Sequence, residues 1–204
     1  MARAAKRAGI KLAKSSKRAG PAGIFGICGG MQMMGLSIDD PTGAENNGVP
    51  QSKEGLALLP IMTSLQSEKV TRQATGHVRS GMLFGQRLTA TSFQGYEIHL
   101  GETVYATGAE PFSTIRRNGD SVSRPDGAIS TISSACGTYM HGLFSDDGFR
   151  HSFLDAARAA SGLAPMAQKA FVAAHREQRI DRLADHVRRS LDMGLIHDCL
   201  TGRR

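Results

Sequence analysis

One short segment, Gly26–Gly30, constrains the fold of this chain more than any other, and its sequence is GICGG. An apolar run at residues 22–27 leads into it, and the mostly apolar residues 31–36 follow it. This order predicts a buried strand, a tight glycine turn and a short helix, with Cys28 at the turn. Such a turn, a nucleophile elbow, needs nearby glycines because a Cβ atom would clash there. A buried cysteine beside a routine strand-to-helix turn explains the pattern equally well.

Cys28 at such a turn is suited to nucleophilic catalysis. The following helix would direct its N-terminal amides at the thiol, which favours the thiolate and stabilises an oxyanion. The thiol also needs a base, which must be adjacent in space rather than in sequence. His141 is the first candidate because it ends an apolar strand-like segment beside Gly142, and His99 is the second. The other five histidines are interpreted as structural or solvated: His77, His151, His175, His186 and His197.

Short β-like segments fill the middle of the chain and helices fill its end, so the predicted class is α/β. We predict strands at 70–78, 89–99, 112–117 and 128–132, and a further strand from Cys136 into His141. Asp146 or Asp147 is predicted to cap a helix that runs to Ala160. Residues 37–54 are rich in Asp, Pro, Asn and Gly and are predicted to be a loop. A last helix is predicted from an apolar face made of Ile180, Leu183, Ala184, Val187 and Leu191.

The charge distribution argues against nucleic acid as a partner. Residues 1–20 carry seven basic residues and no acid, so the net charge of +7 lies in this leader, and the remaining 18 basic residues balance 18 acidic ones. A nucleic-acid-binding domain would carry a basic face on its folded body. We interpret the leader as the remnant of a surface helix, with an organelle transit peptide as the alternative. No apolar stretch approaches the ~20 residues that span a bilayer, so we expect a cytoplasmic protein with no membrane partner.

The sequence also argues against bound metals and nucleotide cofactors. The three cysteines form no CxxC pair, so neither a disulfide framework nor a structural zinc site is expected. Glu97 and His99 would share one face of a strand, but no third ligand accompanies them, so no metal is expected. The chain has no phosphate loop and no dinucleotide fingerprint. We therefore expect this chain to bind no cofactor itself.

Several segments, taken together, resemble the glutamine amidotransferase part of cobyric acid synthases, a branch of the class I (triad) glutamine amidotransferases. The similar segments are 26–35, 55–60 with Thr63, 95–103, 137–144 and 181–186. They occur in the family's order over roughly residues 20 to 195. The resemblance implies the second part of a flavodoxin-like fold, in which helices flank a mixed central sheet. Residues 1–20 would be a leader or remnant helix, and residues 21–204 a partial amidotransferase domain.

The resemblance also implies a mechanism. Cys28 would attack the side-chain amide of glutamine, giving a glutamyl thioester and ammonia, while His141 would carry the proton. The amide of Gly29 would be one oxyanion donor, and Gln32 would help hold the glutamine. The ammonia would pass to a synthetase domain that uses ATP and Mg²⁺. That domain would amidate carboxylates of a corrinoid, adenosylcobyrinic acid a,c-diamide, in cobalamin synthesis.

The sequence departs from the family pattern at three points. Met31 stands where tyrosine is usual. Leu143 stands where triad members often carry glutamate, which agrees with the cobyric branch and makes Glu97 the candidate for orienting His141. Only 27 residues precede Cys28, whereas full members have an ATP-binding domain and a loop that supplies a second oxyanion amide. We therefore expect a marginally stable partial domain that hydrolyses glutamine slowly on its own.

Two other interpretations remain open. The chain could be a catalytically inactive fragment or binding module that keeps the second half of the fold. It could also be the amidotransferase subunit of a complex that amidates the cell-wall precursor lipid II, which shares the CysGlyGly elbow. The segment Glu97–Gly101 favours the cobyric branch over the lipid II branch. A glutaminase assay separates an active amidotransferase from an inactive module.

Overall fold

The computed structural model describes residues 23–130, 134–167 and 170–202, without the side chains of residues 173 and 174. The chain divides into two compact units, Met1–Gln168 and Lys169–Arg204. The predicted leader at residues 1–20 lies outside the described residues. The predicted partial domain at 21–204 spans both units.

In its described part, the first unit is built mainly from strands, with two helices beside them. Its strands are β1 (Ile24–Ile27), β2 (Ser37–Asp40), β3 (Gln51–Glu54), β4 (Ile61–Val78), β5 (Met82–Leu83), β6 (Gln86–Arg87), β7 (Ser92–Tyr105), β8 (Ala109–Glu110), β9 (Ser113–Arg117), β10 (Arg124–Asp126), β11 (Ala128–Ser130), β12 (Ala135–Thr138) and β13 (Met140–His141). Its helices are α1 (Gly29–Met34) and α2 (Asp147–Ala160), and a 3₁₀ turn covers Leu143–Ser145. The predicted mixed α/β class is confirmed.

The strands of the described residues form two larger sheets and one short hairpin. The four-stranded sheet has the order β1-β12-β11-β8, in which β1 and β12 run parallel. The seven-stranded sheet is organised around the long antiparallel pair β4 and β7, and β13 joins it at the free side of β7. The chain therefore leaves one sheet at the end of β12 and enters the other at β13, with Tyr139 alone between them. This crossing brings the two sheets together beside α1.

Two buried clusters hold the first unit together. One contains Phe93, Phe112 and Phe149, and Phe25 packs against it with its ring centroid 5.4 Å from that of Phe112. The other places the fully buried Met31 with further apolar side chains, among them Leu59 and Ile61. Within the described residues, β1 pairs with β12 alone, so β1 forms an edge of its sheet.

The predicted loop at 37–54 is confirmed for residues 41–50 but is wrong at its two ends, which are strands β2 and β3. These strands pair in antiparallel register, and β2 also pairs with β4 in parallel register. The polar composition is compatible with this hairpin because its acidic side chains accept local hydrogen bonds. Asp39 accepts one from the Ser52 hydroxyl at 2.5 Å, and Asp40 accepts one from the Ala44 amide at 2.7 Å.

The other strand predictions are confirmed in position but not always in length. The strand predicted at 70–78 begins at Ile61, and the one predicted at 89–99 runs from Ser92 to Tyr105. The strand predicted at 128–132 is present from Ala128 to Ser130, and its residues 131 and 132 lie outside the described residues. The helix after Asp146 is confirmed, and the Asp146 carboxylate caps it by accepting the Phe149 amide at 2.9 Å.

The second unit consists of two helices in its described part, α3 (Val172–Ser190) and α4 (Met193–Thr201). The predicted last helix is therefore confirmed, but its apolar face is exposed rather than covered. Ile180 is 48% exposed and Leu183 is 62% exposed. Among the described residues, no helix is both long and apolar enough to cross a membrane.

Candidate active site

The predicted strand–turn–helix order around Cys28 is present, and its backbone is strained. Cys28 has φ 52° and ψ −117°, a combination that residues other than glycine rarely adopt. Such a conformation costs about 1–3 kcal/mol and persists only where the surrounding structure fixes it. The Cys28 amide donates to the Thr138 carbonyl at 2.9 Å, and the Cys28 carbonyl accepts the amide of Met31 at 2.9 Å. A Cβ at Gly26 would lie 2.6 Å from the Met31 nitrogen, so only glycine allows this close turn.

The Cys28 thiol is half-buried and donates a hydrogen bond to the Ile98 carbonyl at 3.3 Å. The other two cysteines have different surroundings. Cys136 is buried in β12, and burial raises the pKa of its thiol well above the ordinary range. Cys199 is exposed on α4 in the second unit. Of the three, Cys28 is the one whose thiol lies at a strained turn beside polar groups.

His141 lies at the same sheet edge as Cys28. Strands β1 and β12 run parallel with Ile27 opposite Thr138, so Cys28 and the residues after Thr138 emerge at one edge. His141 then pairs with Tyr96 of β7, and the two rings stack with their centroids 5.6 Å apart. Within the described residues, the Nε2 atom of His141 is buried and has no hydrogen-bond partner. The structure thus brings both candidate residues to one edge, while the thiol bonds Ile98 rather than His141.

Glu97 and His99 lie on β7 and form a polar network with Arg117 of β9. The Glu97 carboxylate accepts from His99 Nε2 at 2.7 Å and from Arg117 Nε at 2.6 Å. The His99 Nδ1 atom lies 2.6 Å from the Gly101 carbonyl oxygen. Burial alone would raise the pKa of Glu97, but the hydrogen bonds and charges of His99 and Arg117 together outweigh it and lower that pKa to about 2.

The network gives no support to Glu97 as the group that orients His141. In the β13–β7 register, Glu97 lies opposite Met140, whereas His141 lies opposite Tyr96. Residues that are opposite each other share a face and neighbours along a strand alternate, so Glu97 and His141 project from opposite faces. The Glu97 carboxylate therefore orients His99 instead. The spacing of these two residues along the strand already predicts that they share a face.

Gln32 lies in α1 and reaches a small cluster of hydroxyl groups. Its Nε2 atom donates to the Tyr139 hydroxyl at 3.3 Å, and this hydroxyl lies 2.8 Å from the Thr103 hydroxyl. The Tyr139 ring stacks on the His99 ring with their centroids 4.1 Å apart. Burial raises the pKa of the Tyr139 phenol, against the effect of its hydrogen bonds. Gln32, Tyr139 and His99 are thus in continuous contact beside the elbow.

A cavity of about 400 Å³ opens beside this cluster. His99 and Tyr139 form part of its wall, together with Thr103, Tyr105 and Arg124. The described residues that line it do not include Cys28, so the cavity neighbours the elbow without containing the thiol. No group of three His, Cys, Asp or Glu side chains in the described parts of the chain could hold a metal ion.

Two further buried residues were missed from the sequence, Thr138, which bonds Cys28 directly, and Asp126, which bonds Thr138. Thr138 and Asp126 are both buried, and the Thr138 hydroxyl donates to the Asp126 carboxylate at 2.5 Å. Burial raises the pKa of Asp126, although the hydrogen bonds that it accepts act in the opposite direction. The available signal was a hydroxyl residue inside the otherwise apolar β12, since a buried polar side chain needs a partner.

Comparison with known proteins agrees with this geometry. A family model of the CobB/CobQ-like glutamine amidotransferase domain matches residues 2–149. The cobyric acid synthase of Streptococcus sanguinis is 40% identical over 179 residues, which cover 87% of this chain and 34% of the relative. The cobyric acid synthase of Moorella thermoacetica is 39% identical over 171 residues, which cover 84% of this chain and 33% of the relative.

A third relative, the cobyric acid synthase of Salmonella heidelberg, is 38% identical over 176 residues, which cover 85% of this chain and 33% of that protein. The chain thus spans about a third of the length of these relatives. The family match covers most of the first unit, including Cys28 at its strained turn and His141 at the same sheet edge. The chain belongs to the family of CobB/CobQ-like glutamine amidotransferase domains.

Proposed function

We propose that this chain hydrolyses the side-chain amide of glutamine, with Cys28 as the nucleophile. The observation that carries the proposal is the strained backbone of Cys28, which is held between β1 and α1 by hydrogen bonds. Strain of this kind is characteristic of sites where the local structure presents a reactive group. The turn places the thiol one residue before α1, whose first amides have no partner within the helix.

The reaction would proceed through a thioester. The Cys28 thiol gives its proton to His141 as its sulfur attacks the amide carbon of glutamine, and the resulting oxyanion accepts a hydrogen bond from the Gly29 amide. His141 gives a proton to the departing nitrogen, which leaves as ammonia as the carbon–nitrogen bond breaks. Water then adds to the thioester and gives a proton to His141, and the Cys28 sulfur leaves and takes that proton back, which releases glutamate and restores the thiol. Gln32 holds the substrate from the first turn of α1.

His141 fits the role of proton carrier because its Nε2 atom is buried and has no partner among the described residues. A nitrogen that is already committed to a carboxylate would be less able to exchange a proton with the substrate. For this role the Cys28 thiol must give up its bond to the Ile98 carbonyl and turn towards His141. Hydrogen bonds of catalytic groups are often long or misaligned before substrate binds.

The ammonia would serve an ATP-dependent synthetase that forms amides. The relatives are cobyric acid synthases about three times as long as the matched region, so the synthetase would be a further domain or a separate subunit. We propose ATP and Mg²⁺ as the cofactors of that partner, and the carboxylates of adenosylcobyrinic acid a,c-diamide as the acceptors. The reaction would take place in the cytoplasm.

The test is glutamate release from glutamine by the purified chain, alone and mixed with a cobyric acid synthetase domain. We expect slow release by the chain alone, faster release in the mixture, and none in either case for Cys28→Ser. The matched control is Cys199→Ser, which changes an exposed cysteine of the second unit and should leave the rate unchanged. Release that persists at the same rate in Cys28→Ser would contradict the proposal.

One observation favours a second candidate, a catalytically inactive module. The Cys28 thiol donates to the Ile98 carbonyl and not to a histidine, which is the arrangement of a satisfied buried thiol. If the Cys28 thiol keeps this hydrogen bond when glutamine and the synthetase domain are present, the chain should release no glutamate from glutamine. A mixture with the synthetase domain that binds but releases no glutamate would favour this candidate.

A further inference from the structure

We infer that Thr138 and Asp126 form a clamp that positions the Cys28 turn and the His141 strand relative to each other. This inference rests on the proposed function for its catalytic meaning, whereas its geometry stands independently. Both residues are buried, and neither has a place in the chemical steps proposed above. They are positioning residues because they act through the backbone of the segments that carry the thiol and the imidazole.

Thr138 contacts both segments at once. Its carbonyl accepts the Cys28 amide at 2.9 Å. Its hydroxyl accepts the Met140 amide, also at 2.9 Å, and Met140 is the residue directly before His141. Thr138 therefore holds the backbone of both segments, the turn that carries Cys28 and the strand that carries His141.

Asp126 determines which way the Thr138 hydroxyl points. Its carboxylate accepts the hydroxyl proton at 2.5 Å, so the lone pairs of that oxygen face the Met140 amide. The same carboxylate accepts the Tyr139 amide at 3.0 Å. The hydrogen bonds of Asp126 and Thr138 thus account for both amides at the crossing from β12 to β13.

A third donor to Asp126 provides a matched control. The Ser113 hydroxyl donates to the Asp126 carboxylate at 2.8 Å from β9, which carries neither the thiol nor the imidazole. Ser113→Ala and Thr138→Val each remove one hydroxyl from the same carboxylate. Only Thr138→Val also removes the acceptor of the Met140 amide.

The effect on chemistry follows from how strictly catalysis depends on geometry. A displacement of about 1 Å in a reacting group can cost on the order of 10²-fold in rate. Thr138→Val keeps the carbonyl that holds Cys28 but removes one hydrogen bond from the strand that carries His141, which, among the described residues, then depends on its pairing with β7 alone. Substrate affinity should change little, because Gln32 and the α1 helix are untouched.

The experiment measures how fast a diazoketone analogue of glutamine inactivates the full chain. We expect Thr138→Val to lower the maximal rate of Cys28 labelling by on the order of 10²-fold, with the half-saturating concentration within about twofold. Thr138→Ser keeps the hydroxyl and should return the rate to within a few-fold of the parent. Ser113→Ala should label at the parent rate, even if its denaturation midpoint falls. Equal losses in Ser113→Ala and Thr138→Val, or no loss in Thr138→Val, would overturn the clamp.

A second measurement decides the inference if the parent chain takes up no label, an outcome that would count against the proposed function alone. Amide hydrogen exchange reports the Met140 bond directly. We expect exchange at Met140 to become at least about tenfold faster in Thr138→Val and to stay unchanged in Ser113→Ala. Unchanged exchange at Met140 in Thr138→Val would show that no clamp exists.

Discussion

The paired strands β7 and β13 beside the elbow carry one histidine on each face of the sheet, and the two histidines are held in opposite ways. On one face, His141 stacks on Tyr96, and its Nε2 atom has no partner among the described residues. On the other face, both ring nitrogens of His99 are engaged, one by Glu97 and one by the Gly101 carbonyl. A histidine that transfers protons needs a ring nitrogen that has no other hydrogen-bond partner. A histidine with a structural role is held more firmly when both ring nitrogens are hydrogen-bonded. This difference is what the proposed mechanism requires, with His141 as the proton carrier and His99 as a structural residue.

The largest expected effect comes from His141→Ala. General acid–base catalysis contributes on the order of 10²–10⁴-fold, so glutamine hydrolysis by the chain with its synthetase should fall by that factor. His99→Asn should cost less than about tenfold, since it changes the supporting face. His175→Ala, in the second unit, serves as the control and should leave the rate unchanged. The comparison between the two faces breaks if His99→Asn folds normally and loses as much activity as His141→Ala.

The second largest effect is expected from Glu97→Gln, which should lower the free energy of unfolding. It tests whether the Glu97–His99 face stabilises the fold. The folded state lowers the pKa of Glu97 from 4.5 to about 2, a shift worth about 3 kcal/mol. Because the folded-state pKa is depressed, this stabilisation is fully present above pH 4.5 and is lost as the pH falls towards 2. Glu97→Gln should therefore be less stable than the parent by about 3 kcal/mol at pH 7.

Urea denaturation from pH 7 down to pH 2 measures this difference. We expect the gap between the parent and Glu97→Gln to narrow steadily below pH 4.5, where the parent carboxylate begins to take up its proton. A gap that stays constant over this range would mean that the Glu97 charge contributes nothing and that only its shape matters.

The smallest effects come from removing one hydroxyl on each face. Tyr139→Phe leaves the buried Gln32 amide without its acceptor, which costs about 1–3 kcal/mol. Tyr96→Phe keeps the ring that stacks on His141, and the Tyr96 side chain is partly exposed, so its cost should stay within about 0.5 kcal/mol. Thermal denaturation of both variants measures the pair. An equal loss of stability in Tyr96→Phe and Tyr139→Phe would show that the hydroxyl groups on the two faces contribute equally to the fold, which would contradict the comparison.

The elbow could be predicted because its determinants are local. The apolar run, the glycines and Cys28 are consecutive, and Gly26 is required by an atom only five residues away. The cap of α2 by Asp146 is local in the same sense. Periodicity also predicted α3 correctly, but exposure depends on what surrounds a helix, and no pattern within α3 reports that.

The parts that were missed depend on distant residues. Glu97 and His99 could be placed on one face from their spacing, but Arg117 enters the network from another strand, 20 positions along the chain. The break between β12 and β13 depends on Asp126, which contacts Thr138 from 12 positions away. The β2–β3 hairpin was missed because its backbone pairing with β4 outweighs the turn-forming composition of its sequence.

The most direct test of the account is to map which cysteine reacts with a diazoketone analogue of glutamine. We expect an adduct on Cys28, with Cys136 unmodified because its buried thiol has a raised pKa. Iodoacetamide, which needs no glutamine site, should additionally label the exposed Cys199. An adduct of the glutamine analogue on Cys136 or Cys199, with Cys28 untouched, would contradict the assignment of Cys28 as the nucleophile.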